Sequence, residues 1–511
     1  MVIELSNYQK DVIYLYEAHA GSQANLVINA CAGSGKTATS KFLFDARADG
    51  KTAVYIAFNK DIKEAVKPSL SKLGVAAETY HSHGFRAVRN TYGGAVMDSN
   101  KILNWVGADP KFKFLKWKVK KLVSLCKMAG VITPDNDLLE WLSDEYDVDF
   151  EDKQGIVNTQ QRDMCFQKAR EAILYSIDNP TVVDFDDMIF LPHVLPEIQM
   201  PQYDLVVLDE LQDTNKVQAE LALRTARENT IGIGDRKQAI YAFRGAGSTS
   251  VDDFKGIAEA HELPLSLCYR CPTSVRDLVN RKFPSIKFET PPWAEKGLVE
   301  DMSESRSINE MQPGDLVLCR VNADLIQTAF DLIRAGKRAH VKGRDIGSGI
   351  KALIIKSNAG TTKEFLDWAS GWLDRELEKA AMREDEAKRQ RALDRHDTIL
   401  VIAEGTKYIN EIEMRCDALF VDDDDNSQDG SSVTLSTIHK AKGLEADNVF
   451  IIRPDLLPHP AAGNLLILNK RKTLSTLLSP GQKGLSALCG DLTGSSQARR
   501  NYLSRLRSSC R

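Results

Sequence analysis

The sequence predicts an α/β fold of two parallel-sheet domains carrying helical insertions. Three observations predict it. Short, continuously apolar runs recur along the chain, as strands buried on both faces require. Helical patterns lie between them, which sets successive strands parallel. A glycine-rich loop, ACAGSGKT at residues 30–37, joins the first apolar run to a helical segment.

In order, LVIN (26–29) reads as a strand running into that loop and a helix. AVYIA (53–57), LVVL (205–208) and IGI (231–233) complete a first set of strands. LVLC (316–319), TILVIA (398–403) and VFII (449–452) form a second set, with the break near residue 262. Residues 90–180 read as helical and include the Lys-rich stretch KFKFLKWKVKKL (111–122). Residues 361–396 read as a charged helix with opposite charges three and four apart. Both are expected to be insertions. DDDDNSQDGSS (422–432) reads as a solvated connector. After about Asn464 the chain turns rich in Ser, Leu, Gly and Arg, unlike the rest.

A chain of 511 residues is too long for one core. Its 43% hydrophobic and 27% charged residues are ordinary for a globular protein, and the net charge of −4 leaves nucleic-acid binding to local Lys and Arg clusters. No apolar run approaches a membrane span, and MVIELSNYQK lacks the regions of a secretory signal. Nine scattered cysteines fit reduced thiols in a cytoplasmic setting. Cys268 and Cys271 form a CxxC without a second pair at zinc spacing, so the expectation is ordinary thiols.

The loop has the chemistry of a phosphate cradle, or P-loop. Gly33 and Gly35 let backbone N–H groups turn onto phosphate oxygens at a helix N-terminus, so Ala32, Gly33, Ser34, Gly35, Lys36 and Thr37 are the nucleotide-binding candidates. Lys36 would reach the β- and γ-phosphates of ATP, and Thr37 would place its hydroxyl on Mg²⁺. In DELQD (209–213), after LVVL, Asp209 would hold the metal and Glu210 would polarise the attacking water. In GDRKQAIYAFRGA (234–246), Gln238 would sense the γ-phosphate. Tyr241 and Phe243 offer faces for stacking a base, or serve as core aromatics.

These motifs, in this order, resemble motifs I, II and III of superfamily 1 helicases of the UvrD/Rep type. Gln9 in LSNYQKDVI is similar to the adenine-reading Q motif. VYIAFNKDIKEAV (54–66) and TYHSHGF (79–85) resemble motifs Ia and Ib. LPLSLCYRCPTSV (263–275) resembles motif IV, and VTLSTIHKAKGLEADNVFII (433–452) resembles motif V. The resemblance implies two RecA-like domains with ATP between them and single-stranded DNA, up to a duplex junction, across their top. It gives Arg270 to the γ-phosphate and Glu445 to the ribose. Phe58, Asn59, Thr79, His81, Tyr241, Thr437 and His439 fall on DNA-facing positions. It implies 3′→5′ movement and a division into 1–90 with 181–262 (1A), 91–180 (1B), 263–350 with 398–463 (2A) and 351–397 (2B-like), followed by the tail 464–511. No segment of the motif VI type, E-x-N-L-x-Y-V-A-x-T-R, follows motif V. Two rival readings stay open: an ATP-gated single-stranded DNA-binding protein impaired in hydrolysis, and an RNA-directed helicase. In residues 111–122 the lysines with Phe112, Phe114 and Trp117 could flank DNA, or solvate a helix whose Leu115, Val119 and Leu122 face a core.

Overall fold

The computed structural model describes residues 4–457, apart from 20–23, 147, 149, 151–156, 239–249, 285–286, 383–385 and 422–430. Tyr241, Phe243, most of the acidic connector and the tail from residue 464 therefore lie outside the described residues. The chain forms two compact units, Met1–Cys271 with Lys287–Pro292, and Pro272–Ile286 with Trp293–Arg511. Among the described residues, no helix is long and apolar enough to cross a membrane.

In the first unit the strands are β1 (Leu26–Ala30), β2 (Ala53–Ala57), β3 (Ala76–Thr79), β4 (Val96–Met97), β5 (Val182–Val183), β6 (Tyr203–Leu208), β7 (Ala226–Gly234) and β8 (His261–Leu265). Six of them make one parallel sheet in the order β3-β2-β6-β7-β1-β8, and β4 pairs with β5 alone. β1 lies inside, with Leu26 opposite Ile231 on one side and His261 on the other. Leu26, Ile28, Tyr55, Val207 and Ile231 are buried together with Val12, Leu43 and Phe44 of the flanking helices. All strands run the same way, so the loops after β1, β6, β7 and β8 gather at one edge of the sheet, where open α/β sheets place ligands.

β8 carries the first unit past the break expected near residue 262. HELPL is no apolar run: it bears His261, Glu262 and Pro264, which an edge strand tolerates.

The helical stretch contains Lys101–Gly107, Lys116–Met128, Asn136–Glu145 and Thr159–Asp178. Two fully buried lysines tie it to the helix Asp187–Val194. Lys101 Nζ lies 2.7 Å from Asp187 Oδ2, and Lys127 Nζ lies 2.7 Å from Asp187 Oδ1 and 2.8 Å from Asp184 Oδ2. Removing one partner would strand a buried charge, at a cost of about 3–5 kcal/mol.

The second unit holds β9 (Leu316–Cys319), β10 (Ala339–Lys342), β11 (Phe420–Val421), β12 (Val433–Thr437) and β13 (Val449–Ile451), parallel in the order β11-β10-β12-β9-β13. TILVIA, expected as a strand, instead ends the helix Glu386–Ala403. Ile399, Ile402 and Ala403 are buried while Leu400 is 43% exposed, the spacing of one helix face rather than a strand's alternation. The charged stretch 361–396 is two helices, Thr362–Met382 and the start of Glu386–Ala403. Phe365, Ala369, Trp372 and Ala392 bury one face in the same core as Val317, Val341 and Leu435 of the sheet. The opposite charges decorate the outside of a packed helix pair.

Candidate nucleotide site and nucleic-acid interface

The loop after β1 turns into the helix Lys36–Ala46 through two glycines in the left-handed region, Gly33 at φ +71° and Gly35 at φ +81°. That backbone strongly favours glycine. Gly35 caps the helix with no side chain, which leaves its first N–H groups to an anion. Space makes the same demand at Gly33, where a Cβ would sit 2.7 Å from Arg270 Cβ and 2.9 Å from Cys268 Sγ. The loop after β8 is thus packed on the cradle, and the Tyr269 N–H donates to the Gly33 carbonyl at 2.9 Å. Arg270, expected at the γ-phosphate, is exposed beside the cradle.

Gln9 is buried behind the cradle. Its Oε1 accepts from the Ser6 N–H at 3.0 Å, and its Nε2 donates to Thr39 Oγ1 at 3.1 Å; the Thr39 hydroxyl in turn donates to the Gly35 carbonyl at 3.0 Å. Ser6 and Gln9 form a reciprocal cap at the start of the helix Asn7–Ala18, which fixes the amide against the phosphate loop.

Lys36 and Glu210 meet at the centre. Lys36 Nζ lies 2.5 Å from Glu210 Oε1, each side chain 16% exposed. Burial works against the Lys36 ammonium, but Glu210 and then Asp209 outweigh it and hold its pKa above the ordinary value. Asp209 is buried, and burial followed by the neighbouring Glu210 charge raises its pKa despite Lys36. Glu210 has φ +50°, a left-handed backbone that is rare outside glycine and is found at functional turns. Thr37 is exposed at the helix start. The fit to Mg²⁺–ATP rests on uncapped N–H groups, a lysine, an exposed hydroxyl and two carboxylates at one sheet edge. Among the described residues no group of three or more His, Cys, Asp or Glu is arranged to hold a metal unaided.

Motif III adds Gln238 at the end of a short turn after β7. Its Nε2 donates to Asp235 Oδ2 at 2.9 Å. Asp235 is buried, and burial raises its pKa.

Of the residues expected to face DNA, Phe58 follows β2 partly buried, and Asn59 caps the helix Lys60–Ser71 by accepting from the Ile62 N–H at 2.9 Å. Thr79 caps the helix Tyr80–Tyr92 reciprocally with Ser82. His81 stacks on Phe185, ring centres 3.8 Å apart, and Phe185 is 52% exposed. Behind this face, Tyr80 shares a hydrogen bond with Thr214, just beyond DELQD, at 3.2 Å. The helix that carries His81 is therefore joined to the carboxylate loop.

Within the second unit, Thr437 ends β12 and its Oγ1 accepts from the Lys440 N–H at 3.4 Å. His439 is partly buried and Glu445 exposed in the following turns. Lys440 pairs with Asp345.

A model of the UvrD/REP helicase N-terminal domain matches residues 16–257, and one of the UvrD-like helicase C-terminal domain matches residues 373–467. Together they take in more than half of the chain. The chain belongs to the UvrD/Rep-like superfamily 1 helicases. The ATP-dependent DNA helicase PcrA of Leuconostoc citreum is 30% identical over 152 residues, which is 27% of this chain and 20% of that protein. Rep of Buchnera aphidicola is 34% identical over 88 residues, 16% of this chain and 13% of that protein. UvrD2 of Mycobacterium bovis is 24% identical over 445 residues, 74% of this chain and 61% of that protein. The chain thus spans less than two thirds of each of these curated relatives.

For this UvrD/Rep-like chain, sequence reading passed over Phe185 and Gln212. Phe185 sits in VDFDDM, a segment given no role in the sequence analysis; an aromatic among acids is the available signal. Gln212 lies in DELQD two residues after Glu210, in a motif where only Asp209 and Glu210 were given roles.

Proposed function

We propose that this chain is an ATP-dependent DNA helicase or translocase that hydrolyses Mg²⁺–ATP to move 3′→5′ along single-stranded DNA. One observation carries the reading: the cradle lysine Lys36 and the carboxylate Glu210 are in contact at the sheet edge where Gln9, Asp209, Gln238 and Arg270 also converge. Lys36 releases Glu210 to take the phosphates, and Glu210 then orients and deprotonates water. Arg270 and Gln238 stabilise charge on the transferred group. Thr37 and Asp209 would hold Mg²⁺, which would supply charge neutralisation for the phosphates. Phe58, Asn59, Thr79, His81 and Phe185 offer stacking and backbone contacts that tolerate any base sequence. The Tyr80–Thr214 hydrogen bond supports a mechanical tie between this strand path and the nucleotide site.

The test is ATP hydrolysis with and without single-stranded DNA beside Lys36→Ala, followed by strand displacement on 3′- and 5′-tailed duplexes. Hydrolysis that DNA stimulates and Lys36→Ala abolishes, with displacement only from the 3′ tail, supports the whole reading. Binding of ATP and DNA without turnover replaces it with an ATP-gated binding protein. Stimulation by RNA in preference to DNA replaces the substrate.

A further inference from the structure

We propose that Gln212 is a positioning residue for hydrolysis: its side-chain amide holds the Glu210 carboxylate in place when Lys36 lets go. This inference rests on the ATPase reading above and deepens it at the same site.

Gln212 is 1% exposed, among the most buried polar residues of the chain, yet nothing in the phosphate chemistry calls for it. Its Oε1 accepts from the Asp235 N–H at 2.8 Å. A backbone N–H can only donate, so the amide oxygen must face it, and the NH₂ group must face the other way. There it donates to Glu210 Oε2, and to Asp213 Oδ2 at 3.2 Å. The amide orientation is therefore fixed by its partners at both ends.

The backbone enforces the same arrangement. Gly234 ends β7, and a Cβ there would lie 2.5 Å from Gln212 Oε1. The strand comes this close to the amide because residue 234 has no side chain. Glu210 itself has φ +50°, a strained backbone that persists only where its surroundings hold it. Lys36 holds Oε1 and Gln212 holds Oε2. Phosphate binding draws Lys36 away, and the Gln212 amide keeps the carboxylate aimed. Because Gln212 also grips the Asp235 N–H, and Asp235 holds Gln238, one side chain sets the spacing between the water-activating carboxylate and the γ-phosphate sensor.

The test uses the full chain and four variants: Gln212→Met, similar in length with no hydrogen bonds, Gln212→Glu, Gly234→Ala and Glu210→Gln. Single-turnover ATP hydrolysis, affinity for a fluorescent ATP analogue and thermal midpoint are measured for each. Gln212→Met is expected to slow hydrolysis about 10- to 100-fold, the range for a misplaced catalytic group, with nucleotide affinity within about 3-fold of the parent. Gln212→Glu sets a carboxylate against Glu210 and is expected to slow it at least as much. Gly234→Ala, acting from the opposite side, is expected to reproduce the loss. The deciding readout is coupling: in a Glu210→Gln background, Gln212→Met should add little, because its effect runs through that carboxylate. Undiminished hydrolysis in Gln212→Met, or a loss that multiplies in full onto Glu210→Gln, overturns the proposal. If the unmodified chain shows no Lys36-dependent hydrolysis, the functional reading fails first, and this inference with it.

Discussion

Lys36 Nζ and Glu210 Oε1 are 2.5 Å apart, so the proposed phosphate-binding cation and the proposed water-activating anion neutralise each other. On the proposed mechanism ATP must break this pair, and the cost opposes binding. Glu210→Gln weakens the pair and is therefore expected to bind ATP several-fold more tightly than the parent while hydrolysing it about 10²- to 10³-fold more slowly. Equilibrium titration and single-turnover hydrolysis measure the two effects. Weaker binding in Glu210→Gln would show that the pair does not compete with the phosphates.

Gly33 and Gly50 share a left-handed backbone, φ +71° and +79°, but only Gly33 lacks room. Nothing lies within 4 Å of a Cβ at Gly50, whereas one at Gly33 meets Arg270 Cβ and Cys268 Sγ at 2.7 and 2.9 Å. Gly50→Ala should cost only the backbone penalty, about 1–2 kcal/mol, and leave nucleotide affinity unchanged. Gly33→Ala adds the steric term, displaces the Arg270 loop and should lower ATP affinity at least tenfold. Denaturant melts and nucleotide titrations of both variants would separate strain from site geometry. Equal affinities would mean that the two loops are not packed as described.

What the sequence made legible follows from how locally each feature is encoded. The cradle, Asp209–Glu210 and the parallel strands were readable because a glycine loop at a strand end and a run of apolar residues need no distant partner. TILVIA misled because its β-branched residues suit a strand, while the face that Ile399 and Ile402 bury is set by packing in the second unit. β8 escaped for the opposite reason: at the sheet edge it needs few apolar residues, so HELPL looks like a loop. Gln212 was hidden because its meaning lies in Asp235 and Gly234, more than twenty residues away and adjacent only through the pairing of β6 with β7.

Cys268 and Cys271 were expected to be ordinary thiols, yet their surroundings make one of them acidic. Contact with the Cys271 side chain, against the opposing effect of burial, lowers the Cys268 pKa to about 6; the Cys271 and Arg270 N–H groups and the Arg270 guanidinium assist. The Cys271 thiol is pushed up in turn, so the pair loses one proton near pH 6 and retains the other. Burial raises Cys126, Cys165, Cys319 and Cys416 to about 11 or 12, and raises Cys31 as well. Thiolate absorbance at 240 nm, recorded from pH 5 to 8 as the difference between the parent and Cys268→Ser, should therefore rise with one thiolate per chain and a midpoint about 6. A flat difference would show that Cys268 remains protonated at neutral pH.

Phe114 and Trp117 bear on the reading of the Lys-rich stretch. Leu115, Val119 and Leu122 are buried, so the core is satisfied without the two aromatic rings, which stand 88% and 62% exposed. Lys113 Nζ lies 5.9 Å from the Phe114 ring centre and Lys120 Nζ 5.7 Å from that of Trp117, so each exposed ring carries a cation beside it. Rings stack on bases and ammonium groups pair with phosphates, and both features on one short segment suit DNA near a duplex junction. Phe114→Ala and Trp117→Ala should leave stability within about 0.5 kcal/mol, as for surface positions. Each should weaken binding to tailed duplex DNA by the worth of a stacked base, about 1–3 kcal/mol, or roughly 5- to 150-fold. Replacing Lys113 or Lys120 by Gln should instead flatten the salt dependence of binding by about one phosphate contact. Melting curves and fluorescence anisotropy at several salt concentrations read both effects. Unchanged DNA affinity in all four variants would return the segment to a solvated helix surface, and a large drop in stability would place the rings in the core.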